Sequence, residues 1–521
     1  MTDAAAQTAP ADTGPVLAAD GRPLKASLSR ALRAQKIRAL MLIAPLLLFI
    51  LITFIFPIGD MLFRSVENQI VSDTLPRTVA ALRDWEETDA PPPEDVYAAL
   101  YVDILVAAEF RLHTRVGSRL NYEMTGISSL FRRSGRGVGR FGTDIYTDQF
   151  VALDAAWADP VTFATILDDA DLRASLSETA SAYDSWVEVI VEIEEEDPGV
   201  EQPWDFVYTA LYRDLAAGAD IADNALLAAA ATAVTGFETV SLRDQFAEIS
   251  EDWLDPAVFE TIQLYSGNYT PGYFLTAADL QLTNEGVQVQ DEDFRIYITL
   301  FKRTIFMSLI IMGSCVLLGY PVAFLLANLP MRTSNMLMIL VLLPFWTSLL
   351  VRTSAWKVLL QQQGVINDIL VWVGLVADDN RLALINNQTG TIIAMTHILL
   401  PFMILPLYSV MQTIPTTYVR AAKSLGATDW TAFWRVYFPQ SVPGIGAGCI
   451  LVFILSIGYY ITPELVGGRT GTFISNRIAY HISNSLNWGL AAALGTILLV
   501  LVLALYWAYD RIVGIDNVKL G

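Results

Sequence analysis

Cysteine and histidine are scarce in this chain, and several catalytic motifs are missing. Its two cysteines, Cys315 and Cys449, lie in apolar stretches, which excludes a framework of structural disulfides. The three histidines, His113, His397 and His481, lack the spacing of metal ligands, so no metal site is expected. No GxxxxGK[ST] phosphate loop, nucleophile elbow or HExxH motif occurs. No catalytic residue is therefore assigned, and ATP hydrolysis is not expected of this chain.

Long apolar runs, by contrast, are abundant, and 54% of the residues are hydrophobic. Runs of about 20 apolar residues predict membrane-spanning helices. The six predicted spans are Ala39 to Ile58, Ile305 to Leu329, Met336 to Leu360, Thr391 to Met411, Val442 to Ile461 and Leu490 to Tyr509. A long polar leader precedes the first span, so that span is not a cleaved signal peptide. Pro57 is expected to close or kink its helix.

Lysine is absent from residues 66–295, where all 13 basic residues are arginine. This region also carries 43 acidic residues, which gives it a net charge of −30, whereas the rest of the chain carries +9. Basic residues favour the cytoplasmic ends of membrane spans. The basic leader, residues 1–38, and the tail, residues 513–521, are therefore predicted to lie in the cytoplasm, and the acidic insert outside it.

The acidic insert contains an internal duplication. The segment WADPVTFATI at Trp157 to Ile166 matches WLDPAVFETI at Trp253 to Ile262, and VYAALYVDI at Val96 to Ile104 matches VYTALYRDL at Val207 to Leu215. With repeats over about 74–167 and 176–263, the Ala-rich periodicity and Asp-Pro breaks predict two similar, mostly helical lobes. Three roles for the insert stay open: concentrating polycations, keeping an outer domain soluble, or docking another protein.

The stretch RAAKSLGATDWTAFWRVYFP, from Arg420 to Pro439, is a short amphipathic segment between two apolar runs. A helix is predicted over Thr417 to Leu425, ended by a left-handed turn at Gly426 and followed by a second helix that Thr428 or Asp429 caps. The aromatic residues of the second helix recur at helical spacing and predict one face: Trp430, Phe433, Trp434 and Tyr437. Such a face fills a groove or rests in the lipid headgroup layer.

This stretch resembles the cytoplasmic EAA loop of ABC importer permeases. Ala421, Ala422, Gly426, Val436, Phe438 and Pro439 match the pattern, whereas Arg420 replaces the usual glutamate. Four other segments resemble permease subunits of polyamine importers of the spermidine/putrescine class: LGYPVAFLLANLP from Leu318, LLPFWTSLLVRTSAWKVLLQQQGVIND from Leu342, ITPELVGG from Ile461 and NWGLAAAL from Asn487. The resemblance covers residues 39–66 and roughly 295–512, and it leaves the insert out.

The resemblance implies an all-α membrane protein with the six-span fold of type I ABC importer permeases. The first helix would occupy residues 39–65, the mostly helical, duplicated extracytoplasmic insert residues 66–295, and the permease core residues 296–512. The implied setting is the bacterial inner membrane and its lipid. The implied partners are a second permease subunit, identical or different, two ATP-binding subunits and a periplasmic solute-binding protein, and no nucleic acid is expected. This chain would bind no cofactor, since ATP and Mg are used by the partner ATPase.

Two groups of residues are candidate functional sites under this resemblance. The loop over 417–441 would couple ATPase closure to the spans through Arg420, Ala421, Ala422, Gly426, Trp430, Trp434 and Pro439. The candidate translocation pathway comprises Trp346, Arg352, Trp356, Tyr459, Tyr460 and Glu464. A charge inside an apolar span faces protein or water, and Glu464 beside the tyrosines would form a cation gate. The alternatives are interfacial tryptophans and a solvated outer-loop carboxylate.

The expected function is import of a small cation, such as spermidine or putrescine, with ATP hydrolysed by a partner. One alternative keeps the importer but changes the solute to an opine, an amino acid or another small molecule. A second alternative, from a different class, is a membrane receptor whose insert binds the ligand and whose spans only anchor it. The complete spacing of the EAA-like loop argues against that receptor.

Overall fold

The computed structural model describes residues 24–83, 85–86, 90–221, 224–283 and 286–513. The chain divides into two units, Met1–Phe63 and Arg64–Gly521. The first unit contains helix α1 (Leu24–Ile50), a π-helical turn (Leu51–Ile55) and most of α2 (Phe56–Arg64). The helix continues through Pro57 to Arg64, so of the two expectations for Pro57, that it closes the helix is wrong, and a local distortion of the helix is found instead. The π-helical turn directly before it changes the hydrogen-bond pattern where proline has no N–H to donate.

The described part of the acidic insert is mostly helical, as predicted. Its α-helices are α3 (Gln69–Thr74), α4 (Pro76–Leu82), α5 (Glu94–Glu109), α6 (His113–Leu120), α7 (Ile127–Gly137), α8 (Asp144–Leu153), α9 (Val161–Leu167), α10 (Ala170–Ser175), α11 (Ser177–Val189), α12 (Asp205–Ala216), α13 (Ala225–Ala233), α14 (Leu242–Ile249), α15 (Pro256–Leu264) and α16 (Gly272–Ala277). An antiparallel hairpin of β1 (Leu280–Thr283) and β2 (Gly286–Val289) follows, with Leu280 opposite Val289. Short 3-10 or π turns connect several of the helices.

The two repeats of the insert exchange equivalent contacts. The hydroxyl of Tyr97 donates to the carbonyl oxygen of Trp253 at 2.7 Å, and that of Tyr208 donates to the carbonyl oxygen of Trp157 at 2.6 Å. Each VYxALY helix therefore packs against the WxDP segment of the other repeat. The aromatic side chains of both pairs are buried in one continuous hydrophobic core. The two repeats thus share a core, where the sequence had predicted two lobes.

A second pair of equivalent contacts fixes the helix starts in both repeats. Asp103 accepts hydrogen bonds from the backbone N–H and the hydroxyl of Thr78, at 2.7 and 2.8 Å. Asp214 accepts the same two bonds from Thr179, both at 2.7 Å. Burial raises the pKa of Asp103 to about 6, against the opposing effects of Arg77 and of the bonds from Thr78.

The two ends of the insert are held side by side. Glu67 and Tyr269 form an antiparallel β-bridge. Next to it, the N–H of Asn68 donates to the carbonyl oxygen of Asn268 at 2.9 Å, and the N–H of Thr270 donates to that of Val66 at 2.8 Å. The roughly 200 residues between these two segments therefore begin and end at one narrow neck.

The part of the chain after the insert contains the remaining helices, α17 to α28. They are α17 (Tyr297–Asn328), α18 (Met331–Leu342), α19 (Leu349–Leu359), α20 (Val365–Trp372), α21 (Gln388–Thr413), α22 (Thr416–Ser424), α23 (Asp429–Ala432), α24 (Phe438–Gly458), α25 (Ile461–Val466), α26 (Gly468–Gly471), α27 (Ile474–Ser483) and α28 (Trp488–Val513). The long helices α17, α21 and α24 share a buried core. The absence of a side chain at Gly448 of α24 lets Met403 of α21 approach closely, since a Cβ there would lie 2.5 Å from the Met403 sulfur.

Among the described residues, five helices are long and apolar enough to cross a membrane. They are Gln35–Arg64, Tyr297–Asn328, Gln388–Thr413, Asp429–Gly458 and Trp488–Arg511. A sixth segment matches the third predicted span but is not straight, because Met331–Trp346 and Leu349–Leu359 meet at an angle of 94°. Pro344 within the 3-10 turn Leu343–Trp346 and the cap by Ser348 on Val351 favour a break at this point.

Candidate coupling loop and translocation pathway

The loop from Arg420 to Pro439 forms two helical segments that are separated by a turn at Gly426. The first, α22, ends before Gly426, which has a positive φ of 91° that a residue with a side chain rarely adopts. Thr428 caps α23, since its hydroxyl accepts a hydrogen bond from the N–H of Thr431 at 3.3 Å. Lys423 and Asp429 form an ion pair across the turn. The predicted helix, turn and cap are confirmed.

The aromatic residues of the second helix form one cluster, of which two members are packed and two are exposed. Phe433 packs edge-on against Phe324 of α17, with ring centroids 5.7 Å apart, and Tyr437 does so at 5.1 Å. Trp430 and Trp434 are instead 72% and 44% exposed. The four rings nevertheless contact one another, with centroids 5.6 Å apart for Trp430 and Trp434, 5.3 Å for Phe433 and Trp434 and 6.0 Å for Phe433 and Tyr437, so the predicted aromatic face forms and one half of it packs on α17.

Most side chains of the coupling loop, residues 416–439, are exposed or only half-buried. None of the α22 residues is buried. Tyr418, Leu425 and Trp430 are 52%, 89% and 72% exposed, and Trp434 is the fourth exposed apolar side chain. Of the other predicted coupling residues, Arg420, Ala421, Gly426 and Pro439 are exposed and Ala422 is half-buried. We call these four residues, which are the aromatic Tyr418, Trp430 and Trp434 together with Leu425, the exposed aromatic patch.

The bent third segment places the candidate pathway residues of α19 against α21 and α25. Nε1 of Trp356 donates to Nδ1 of His397 at 3.1 Å. The hydroxyls of Thr353 and Thr462 are 3.1 Å apart. Arg352, one residue before Thr353, has two buried guanidinium nitrogens, Nε and Nη1, without a hydrogen-bond partner among the described residues. Trp346, at the bend itself, is 77% exposed and touches none of this group by a described hydrogen bond or ring contact.

The C-terminal end of α24 brings the remaining candidates together. Asn476 of α27 donates through Nδ2 to the carboxylate of Glu464 at 2.6 Å and to the carbonyl oxygen of Tyr460 at 2.9 Å. Ser475 donates to the carbonyl oxygen of Tyr459 at 2.7 Å. Glu464 is nevertheless exposed, so its charge is held in one orientation while it faces solvent. The tyrosines contribute backbone oxygens to this arrangement, and no described ring contact joins either of them to Glu464.

Comparisons with known proteins bear on the same part of the chain. The model of the family "Binding-protein-dependent transport system inner membrane component" matches residues 317–513. The spermidine/putrescine transport system permease protein PotB of Salmonella typhimurium is 35% identical over 222 residues, which are 42% of this chain and 77% of that protein. PotB of Escherichia coli is 34% identical over 222 residues, 42% of this chain and 80% of that protein. This chain belongs to the family of binding-protein-dependent transport system inner membrane components.

The protein is thus an ABC importer permease, an all-α, multi-pass protein of the inner membrane, and the resemblance to polyamine permeases is confirmed. Among solved structures, a bacterial alginate ABC transporter in complex with an alginate pentasaccharide-bound periplasmic protein is 19% identical, with a TM-score of 0.35, over 43% of this chain and 82% of that chain. The matched family region begins at residue 317, after the acidic insert.

Sequence reasoning missed three residues of the permease site. Asn476, which orients Glu464, lies 12 residues after it, and His397, the partner of Trp356, lies 41 residues away. Thr462, which meets Thr353, lies 109 residues away. Only the polar character of these residues within apolar segments was a usable signal, because such residues need a hydrogen-bond partner.

Proposed function

We propose that this permease moves a small cation, a polyamine such as spermidine or putrescine, into the cytoplasm. The observation that carries the proposal is the exposed carboxylate of Glu464, fixed by Asn476 at the end of a membrane helix beside Tyr460. A fixed carboxylate attracts an ammonium group without losing side-chain entropy on binding. The similarity to PotB, whose name gives its solutes as spermidine and putrescine, supports the same cargo.

Uptake of radiolabelled spermidine tests this assignment. Glu464→Gln keeps the size of the side chain and removes its charge, so KM is expected to rise about fivefold to thirtyfold, as loss of about 1–2 kcal/mol implies. Asp379→Asn is the matched control, since Asp379 is also an exposed outer carboxylate of the permease part. An unchanged KM for Glu464→Gln, at normal amounts of protein in the membrane, would show that this carboxylate does not bind the solute.

A second candidate solute carries a carboxylate, as an amino acid or an opine does. Arg352 favours it, because its two buried guanidinium donors that lack an acceptor among the described residues would match a carboxylate. Competition against uptake of radiolabelled spermidine separates the two candidates. If excess glutamate or arginine blocks this uptake in the wild type but not in Arg352→Gln, a solute with a carboxylate is favoured. Inhibition by putrescine alone would favour the polyamine.

The proposal assigns ATP hydrolysis to partner subunits that bind the exposed aromatic patch. Large apolar side chains that remain exposed beside a turn are typical of a protein interface. The complex would hold a second permease, two ATP-binding subunits and a periplasmic solute-binding protein, with both termini in the cytoplasm. Closure of the ATPases would then push the loop and rock the spans. Purified chain alone is expected to hydrolyse no ATP, and turnover by it would contradict the assignment.

A further inference from the structure

A cavity of about 600 Å³ lies where the acidic insert meets the outer end of α28. Its walls include Arg64, Glu67, Arg115 and Arg119 before and within the insert, and Asn487 and Trp488 at the start of α28. It is separate from the coupling loop and from the candidate pathway, which share none of its residues.

Two buried hydrogen-bond donors in the walls of this cavity have no hydrogen-bond partner in the part of the chain that the structure describes. The side chain of Arg119 is 4% exposed, and its Nε and Nη1 donate to Asn68 and Glu123 at 2.9 and 2.6 Å. Its Nη2 has no hydrogen-bond acceptor among the described residues, although the guanidinium lies over the rings of Tyr265 and Tyr273, 5.1 and 4.4 Å from their centroids. Nδ2 of Asn487, a residue 8% exposed, also lacks a described acceptor. Buried donors are rarely left without an acceptor, so a ligand with acceptor atoms fits this cavity.

The charge of the cavity differs in sign from that of its surroundings. Three arginines, Arg64, Arg115 and Arg119, and one carboxylate, Glu67, line it, although the insert as a whole carries −30. The first turn of α28 also lines it through Trp488 and Gly489, and the N-terminal end of a helix carries a partial positive charge. The acidic domain as a whole repels anions, whereas the excess of arginines in this cavity attracts them. The cavity is therefore the place in the insert where an anion is expected to bind.

The surroundings of the cavity place it at the membrane surface. Trp488 is the first residue of a candidate membrane span and is 52% exposed, and the neighbouring Leu486 is 65% exposed. An exposed tryptophan at the end of a span lies in the headgroup layer. Arginine binds phosphate oxygens in a bidentate way. We propose that this cavity binds the phosphate group of an anionic phospholipid and so ties the insert to the membrane beside α28.

The variant Asn487→Asp tests this proposal with little risk to the fold. Oδ1 of Asn487 caps α28 by accepting from the N–H of Leu490 at 3.0 Å, and aspartate keeps that acceptor. The substitution replaces the free donor by a carboxylate that repels an anion. The full chain in detergent is titrated with phosphatidylglycerol, phosphatidylcholine or inorganic phosphate, and binding is followed by native mass spectrometry. Phosphatidylglycerol is expected to bind the wild type at least tenfold more tightly than Asn487→Asp.

Asn224→Asp is the matched control, because Asn224 caps α13 by the same bond, to Leu227 at 3.1 Å, away from the cavity. Its affinity for phosphatidylglycerol is expected to equal that of the wild type. Arg115→Gln, at an exposed wall residue, is expected to weaken binding severalfold and serves if Asn487→Asp does not fold. Equal phosphatidylglycerol affinity in wild type, Asn487→Asp and Arg115→Gln would overturn the proposal, as would the absence of binding to the wild type. Binding of inorganic phosphate alone would overturn the lipid as its source.

Discussion

Trp430 and Phe433 lie three residues apart in the coupling loop, and their replacement by alanine is expected to affect different properties. Trp430→Ala should mainly reduce ATPase stimulation, and Phe433→Ala should mainly reduce folding stability. Trp430 is 72% exposed, so about a quarter of its roughly 200 Å² is buried, and at ~25 cal/mol per Å² its loss costs about 1 kcal/mol of folding stability. Phe433 contacts the rings of Tyr320 and Phe324 at 6.2 and 5.7 Å. A half-buried phenylalanine with such contacts contributes about 2–3 kcal/mol.

The assay compares thermal unfolding of the full chain in detergent with solute-stimulated ATPase activity of the assembled transporter. Trp430→Ala is expected to leave the unfolding midpoint close to that of the wild type and to reduce stimulated ATPase activity at least tenfold, because an interface tryptophan commonly contributes 2 kcal/mol or more. Phe433→Ala is expected to lower the midpoint clearly. Full ATPase stimulation in Trp430→Ala, with the complex assembled normally, would refute the assignment of the exposed aromatic patch to a partner.

Three further outcomes are expected. Burial, with Arg477 nearby, lowers the pKa of His481 from 6.5 to about 4. Between pH 4 and 6.5 the folded state therefore binds fewer protons than the unfolded state, and about 1–3 kcal/mol of folding stability that is present above pH 6.5 is lost as the pH falls towards 4. His481→Gln should make the unfolding midpoint less dependent on pH in this range. Thr78→Val and Thr179→Val should each cost about 1–2 kcal/mol, since each hydroxyl donates to a buried carboxylate, and strongly unequal midpoints would contradict the equivalence of the repeats. Ala217→Cys, at an exposed site of the insert, should react with an impermeant maleimide in spheroplasts, and labelling only after lysis would reverse the proposed orientation.

The sequence predicted the local structure of the coupling loop well, because the signals there are short-range. A turn at Gly426 and a cap at Thr428 depend on residues only a few positions apart. The exposed and packed aromatics could not be separated in this way, because the contacts of Phe433 and Tyr437 with Phe324 join residues more than 100 positions apart. The 94° bend after Trp346 was equally hidden, since the apolar run continues through it.

The insert shows a different limit of sequence reasoning. A repeated motif identifies Tyr97 with Tyr208, and Trp157 with Trp253, but it does not say which tyrosine contacts which tryptophan. Pairing within a repeat and pairing between repeats satisfy the same hydrogen bond and bury the same rings. Only the path of the chain between the blocks decides this, and it favours the exchange between repeats. The partners of Glu464 and Trp356 were missed for the same reason, because distant polar residues leave no joint pattern.

The neck at Glu67 and Tyr269 has a consequence for the history and the engineering of this permease. Chain ends that meet at a β-bridge allow a whole domain to be added to, or removed from, a host fold without moving the host helices. A two- or three-residue linker from Val66 to Thr270, whose backbones are already hydrogen-bonded at 2.8 Å, would close the gap. Replacing the acidic domain by such a linker would therefore convert this permease into a compact one.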